Sequence, residues 1–366
     1  MDINTINNTP FVFIAAKGRS GTTMLQSIFD ANKHVVLPLE SKLIIHLKTR
    51  YFKIKNWTHQ LIDEFLVDLH EDKKFIHHWN VDEVKLAQQI KSIPLEKVSF
   101  QLLCKIIYLS YPSPFKKENI LLIGDKNPMY SMFLEELREV FPEAKFIHLL
   151  RDYRDNVLSH YKTFKFEKIP ALSKGLVVYN EMIEIQKAKN PHLFFTLKYE
   201  DLVANPEKYV VDLCQFLGIP FYSEMLEFNK VLKHKIETGI DEYTKREIDQ
   251  IHPNITDSIN TKQINKWKKE LTPKQVEIIE YIAGDYAQKY GYLPSIKKST
   301  KITVKIIAIV GSLRHDHKFL IIKNYYQLPM FIRNSLRWFS NFMFKTFSYT
   351  NYFNDADFRN KDKKKK

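Results

Sequence analysis

Apolar positions along the chain fall into two rhythms. Short runs of four to six residues, at 11–16, 120–124, 145–150 and 193–198, have the length and β-branched or aromatic content of buried strands. Between them, apolar residues return every three or four positions, which predicts helices over 21–31, 130–141, 152–164, 172–189, 206–217 and 273–290. The last is opened by Thr272 as cap and Pro273 in the first turn. Strands alternating with helices argue for an α/β fold: a parallel sheet, of the type that carries a phosphate-binding loop, covered by helices. Residues 43–118 read as a mostly helical insert, with Trp57, Trp79, His59, His77 and His78. The histidines lack a third ligand at sensible spacing, so a metal site is not expected there. Residues 221–264 show few strong patterns and read as a long loop region over the ligand.

Two segments follow strand-like runs and open helix-like ones. In Lys17-Gly18-Arg19-Ser20-Gly21-Thr22-Thr23, backbone N–H groups at a helix N-terminus converge where a phosphate would sit. Gly21 permits close approach, and Ser20, Thr22 and Thr23 add hydroxyl donors. The spacing is not that of a Walker A loop, because Gly21 is followed by Thr22-Thr23 and not by Lys and Ser/Thr. In Arg151-Asp152-Tyr153-Arg154-Asp155-Asn156-Val157-Leu158-Ser159, Arg151 stands at a strand's carboxyl end, the edge where open α/β sheets bind ligands. Its planar fork suits phosphate oxygens, and Ser159 lies about two helical turns further on. Without a ligand, the same stretch reads as a solvated helix start in which Asp152 and Asp155 offset Arg151 and Arg154.

Together these segments resemble those of the sulfotransferases that use 3′-phosphoadenylyl sulfate (PAPS). The resemblance covers most of residues 11–292, including Tyr199-Glu200-Asp201-Leu202, Phe216-Leu217-Gly218-Ile219-Pro220, Asn265-Lys266-Trp267-Lys268 and Tyr290-Gly291-Tyr292. Within the family, Gly18–Lys42 runs in step with the protein-tyrosine sulfotransferases and their bacterial relatives. The resemblance implies that Gly18, Arg19, Ser20, Gly21, Thr22 and Thr23 bind the 5′-phosphosulfate and that Arg151 and Ser159 bind the 3′-phosphate. It also implies that Tyr199 and Lys266 contact the nucleotide and that PAP is the product. Glu40 falls at the position of the catalytic base. Lys126, in Gly124-Asp125-Lys126-Asn127-Pro128, falls at that of a transition-state cation. Thr163 stands where a further basic contact to the nucleotide belongs.

The chemistry is consistent with these roles. Sulfuryl transfer moves an electrophile in line between two oxygens, so catalysis is mostly positioning and charge stabilisation. A hydroxyl acceptor needs a base, and Glu40 suits if burial raises its pKa toward working pH. Arg19 and Lys126 would neutralise the leaving phosphate, with no metal required. A saccharide, a lipid-linked glycan and a tyrosine hydroxyl all fit as acceptors. A P-loop kinase or NTPase, or a catalytically silent protein that binds a membrane or a partner, are the other readings.

Charge changes the picture at one end only. The 366 residues carry +14, of which residues 296–366, with 16 Lys/Arg against 4 Asp, supply +12. The organisation expected is a catalytic unit at 8–295, containing the insert, and a basic, aromatic-rich appendage at 296–366. Nucleic acid is not an expected partner of the catalytic part. In the appendage, a helix from Pro329 to about Phe347 would set Ile332, Leu336, Phe339 and Met343 on one face, with Arg333 and Arg337 opposite. That helix, with Lys361 and Lys363–Lys366, fits an anionic membrane surface or a helix docked on the catalytic unit. Runs Ile306–Val310 and Phe319–Ile322 are strands or part of the same membrane-facing region. Polar, Asn-rich residues 1–10 do not read as a signal peptide, so the expected place is the cytoplasm, peripheral at the inner face of the membrane if the tail binds lipid. Cys104 and Cys214 read as buried free thiols.

Overall fold

A computed structural model describes residues 2–336, except Lys73, 165–166, 240–244, 246–247 and 249–250. Five parallel strands form one sheet: β1 (Phe11–Ala15), β2 (Val35–Val36), β3 (Leu122–Asp125), β4 (Lys145–Leu150) and β5 (Phe194–Lys198), in the order β2-β3-β1-β4-β5. The four strands expected from apolar runs are present. The two-residue β2 was too short to stand out.

The twofold period of a strand divides the core. Phe11, Phe13 and Ala15 of β1 join the cluster on one face with Phe146 and Phe194, while Val12 and Ile14 join the other with Ile147 and Leu197. The insert covers the first face. Its helices Leu43–Tyr51, His59–Leu69, Glu83–Lys91 and Phe100–Leu109 share that core, with Trp57 and Trp79 buried in it. Helices Thr22–Asp30 and Pro206–Leu217 cover the other face. Helix Pro273–Gln288 begins with a full capping box between Thr272 and Gln275.

Three expectations change. Phe228–Thr238 is a helix inside the region read as loop. Ile306–Val310 and Phe319–Ile322 are not strands but parts of one helix, Ile302–Gln327, laid along Ile169–Lys189. The crossing is close: a Cβ on Gly311 would lie 2.2 Å from Pro170 Cβ, and one on Gly175 would lie 3.0 Å from His315. Beyond Pro329 a new helical turn begins, but its faces are the reverse of those of a helix docked by its apolar side. Arg333 is buried (1 % exposed), donating to His46 O and to Thr49 Oγ1, whereas Phe331 is 72 % exposed. The expected remainder of that helix, to Phe347, and the lysines at 361–366 lie outside the described residues.

Chain order places the chemistry. After β1 the chain moves to β2 and β3 on one side, then crosses to β4 and β5 on the other. The carboxyl ends of β1, β3 and β4 therefore open onto one crevice, where doubly wound sheets bind ligands. Residues 17–23, 126 and 151 all follow those ends.

Candidate functional site

The loop Lys17–Thr23 is built on two left-handed residues, Arg19 (φ 70°) and Gly21 (φ 94°). Gly21 caps helix Thr22–Asp30, and no other residue fits there, since a Cβ would lie 2.5 Å from Tyr199 Cδ2. Asn156 fastens the loop, its amide donating to Gly18 O and Ser20 Oγ, both at 3.0 Å. Ser131 Oγ bonds the N–H and the carbonyl of Ala16 just before it.

Arg151 leaves β4 and joins this loop directly. Its Nη1 donates to Arg19 O at 2.9 Å and its Nη2 to Gln263 O at 2.9 Å, while its Nε is buried without an acceptor. The guanidinium lies 4.7 Å from the Tyr199 ring centre. Arg19 turns toward Ser159, donating from Nε to Oγ at 3.3 Å and from Nη1 to Ile251 O at 2.7 Å. The two phosphate segments are thus in contact. Burial, with Arg151 beside it, pushes the Arg19 guanidinium down to about 10. Neither arginine forms an ion pair with a carboxylate among the described residues. Two adjacent guanidiniums, neither in a direct ion pair and one with an orphaned N–H, suit the phosphates of a nucleotide.

Arg154, three residues after Arg151 in the motif, does something else. It pairs with Asp152 at 2.8 Å and Glu280 at 2.9 Å and stacks on Trp267 at 3.9 Å. Asp155 accepts from the backbone N–H groups of Asn265 (2.7 Å) and Trp267 (2.8 Å), which fixes the turn carrying Lys266 beside the site. Lys266 itself makes no side-chain hydrogen bond to a described residue.

Glu40 and Lys126 stand at the other end of the crevice. Lys126 Nζ donates to Glu40 Oε1 at 2.5 Å and to Thr23 Oγ1 at 3.3 Å, and Lys74 of the insert reaches Glu40 Oε2 at 3.1 Å. Thr23 Oγ1 is also 3.4 Å from His252 Nε2. Burial resists ionisation of Glu40, but Lys126 and Lys74 outweigh it and hold the carboxyl well below the usual carboxylate range. The expected rise toward neutral pH is therefore reversed. Next to Lys126, burial pushes Asp125 up to about 8, with only the Tyr108 hydroxyl and Lys126 acting against it.

A second cluster lies under the loop. Lys17 is buried with its ammonium 4.4 Å from the Tyr179 ring centre, and burial pushes it down to about 8. His160, buried beside it, is pushed down to about 3 by burial and by Lys17. Lys318 and Glu167 pair nearby, so helix Ile302–Gln327 reaches the floor of the loop.

Sequence reasoning missed Asn156, Asp155, Lys74 and His252. The first two sat inside the second motif, but their partners are more than a hundred residues away. Lys74 and His252 lie in segments without a motif.

Several known proteins match this chain. The model of the sulfotransferase family matches residues 10–224, more than half of it. The omega-hydroxy-beta-dihydromenaquinone-9 sulfotransferase of Mycobacterium bovis is 24 % identical over 258 residues, 59 % of this chain and 64 % of that protein. This chain therefore spans under two thirds of that relative's length. Human protein-tyrosine sulfotransferase 1 is 22 % identical over 334 residues, 88 % of this chain and 79 % of that protein. Among solved structures, the sulfotransferase domain of the Synechococcus olefin synthase is 22 % identical, with a TM-score of 0.49, 76 % of this chain and 94 % of that chain being covered. On the family match, the chain belongs to the sulfotransferase family.

Proposed function

We propose that this protein transfers the sulfuryl group of PAPS to a hydroxyl acceptor. The observation that carries the reading is the pair of half-buried guanidiniums, Arg19 and Arg151, held against each other and, through Arg19, against Ser159, with no direct ion pair to a carboxylate among the described residues. Gly18–Thr23 would take the 5′-phosphosulfate, and Arg151 with Ser159 the 3′-phosphate, the nucleotide lying along Tyr199 and the turn of Lys266.

Glu40 is the base. As the acceptor oxygen bonds to sulfur, its proton passes to a Glu40 oxygen, and the bond from sulfur to the phosphate oxygen breaks, releasing PAP. Lys126, which contacts both Glu40 and Thr23, can turn from the carboxylate toward the bridging oxygen as charge collects there. That move takes one of the two cations off Glu40 and leaves Lys74 in place, so the base gains strength as the leaving group is stabilised. Arg19 supplies further positive charge from the loop. A saccharide, lipid-linked glycan or tyrosine hydroxyl suits this arrangement, and the relatives' names include a hydroxylated dihydromenaquinone and protein tyrosine.

Calorimetric titration with PAP and with ATP, in the absence of magnesium, tests the reading. PAP should bind far more tightly than ATP, and Arg151→Ala should abolish that preference. A folded protein that ignores PAP would overturn it.

A further inference from the structure

Helix Ile302–Gln327 is apolar on two opposite sides. One side, with Val304, Ala308, Gly311, Ile322 and Tyr326, is buried against the body of the protein. At 100° per residue, Ile302, Ile306, Ile309, Val310, Leu313 and Leu320 fall within about 100° of arc on the other side. Each of those six is 54 to 67 % exposed. The stripe runs from Ile302 to Leu320, 18 steps or roughly 27 Å at the helical rise. A soluble helix docked on one side ordinarily sets polar residues on the other, so this stripe needs an occupant.

The next helical turn continues the pattern. Arg333, opposite the apolar face, is turned inward onto His46 and Thr49, which leaves Phe331 and Leu336 facing out. An arginine anchored in the body with an exposed phenylalanine on the outside is the reverse of what water alone would select.

Charge identifies what covers the stripe. Residues 296–336 hold eight Lys/Arg and one acidic residue, Asp316, and residues 337–366 hold eight more against three Asp. Lys305 and Arg314 are exposed along the stripe's margins. A second copy of the chain would bring the same excess of positive charge to the interface, and so would the chain's own residues 337–366. An anionic phospholipid surface offers the opposite sign together with an apolar layer below it. No helix among the described residues is long and apolar enough to cross a membrane.

We propose that the outer face of helix Ile302–Gln327, extended by Phe331 and Leu336, docks on an anionic bilayer surface with its axis in the plane of the membrane. The stripe enters the acyl boundary and the lysines and arginines at its margins meet the phosphates. On the helix's inner side, His315 lies against Gly175 and next to Lys17, so docking sets the floor of the phosphate loop one helix layer from the lipid. This surface is independent of the donor and acceptor assignments.

Flotation of the full chain with vesicles tests it. Vesicles of phosphatidylcholine mixed with phosphatidylglycerol should carry the protein, and pure phosphatidylcholine should not. The triple variant Ile306→Ser, Ile309→Ser, Leu313→Ser, all at exposed positions, should lose at least about tenfold in partitioning and keep its PAP affinity. Lys305→Gln with Arg314→Gln should weaken partitioning and flatten its salt dependence. Triple-variant binding equal to that of the parent chain would overturn the proposal. So would a dimer in light scattering that the triple variant dissociates, or binding that depends only on Lys361 and Lys363–Lys366.

Discussion

Glu40 is clamped between two lysines, Lys126 at 2.5 Å on one carboxylate oxygen and Lys74 at 3.1 Å on the other. The first comes from the end of β3 and the second from the insert, so the proposed base is held from both sides of the crevice. Glu40→Gln should keep PAP affinity within a few-fold. It should lower turnover by about 10²- to 10⁴-fold, the usual span for a general base. Single-turnover measurements with a competent acceptor check both. Unchanged turnover would remove Glu40 from the mechanism.

The same clamp fixes the acid side of the pH profile. Two cations favour the ionised carboxylate, so the free enzyme should keep its base down to low pH. Removing one cation favours the protonated form and raises the carboxyl's pKa. Lys74→Met should therefore move the acid limb of kcat/KM to higher pH, while the limb of the parent chain stays below the ordinary glutamate range.

Gly21 is fixed both by its backbone and by its neighbour. Gly21→Ala should cost about 1 kcal/mol or more for the left-handed φ alone. It must also displace the Tyr199 ring on which Arg151 rests, so PAP affinity should fall with stability. Adding Tyr199→Ala should relieve the clash but not the backbone strain. Thermal unfolding and PAP titration of the single and double variants separate the two terms.

Asp125 makes stability depend on pH in an unusual direction. Its folded pKa is raised to about 8 from an unfolded value near 3.8, so the native chain holds the extra proton between them. The group's contribution is full below about pH 4 and is lost as pH rises toward 8, on the order of 1 kcal/mol per pH unit across that window. Asp125→Asn cannot ionise. Its unfolding free energy relative to the parent chain should rise steadily from pH 5 to pH 8, as read by urea titration at each pH.

The tail helix should be part of the cooperative unit. Gly311→Ala places a methyl 2.2 Å from Pro170 Cβ, with the Pro170 carbonyl carbon at 3.1 Å behind it. Overpacking of this kind costs about 1–3 kcal/mol. Urea unfolding should show the loss in the single main transition.

What the sequence made legible was local. Strands β1, β3, β4 and β5 stood out as apolar runs, and the loop from Lys17 to Thr23 and the Arg151–Ser159 segment stood out as chemistry following them. The apolar run Ile306–Val310 looked like a strand because β-branched residues carry that preference, but packing on Ile169–Lys189 decided for helix. Helix Phe228–Thr238 has Val231 exposed among lysines and Leu232 only partly buried, with Phe228 its one fully buried residue, so its periodicity was faint. Arg333 was assigned to the wet side of its helix because its carbonyl and hydroxyl partners, at His46 and Thr49, lie some 280 positions earlier. The sign of the Glu40 shift was missed because Lys126, known from its own motif, turns directly onto the carboxylate, and Lys74 joins it from an insert that gave no motif.

Arg151, with Arg19 O on one nitrogen and Gln263 O on the other, ties three distant stretches of chain to one point, and Arg19 adds a fourth at Ile251. During synthesis β1 and its loop emerge early, yet the donor crevice has no closing wall until residues 251–267 have left the ribosome. From the synthesis of Arg151 to that of Gln263 the nascent protein therefore carries two guanidiniums near an open edge. Nucleotide affinity should arrive late and all at once, making PAP binding a marker of completed folding and not of the sheet alone.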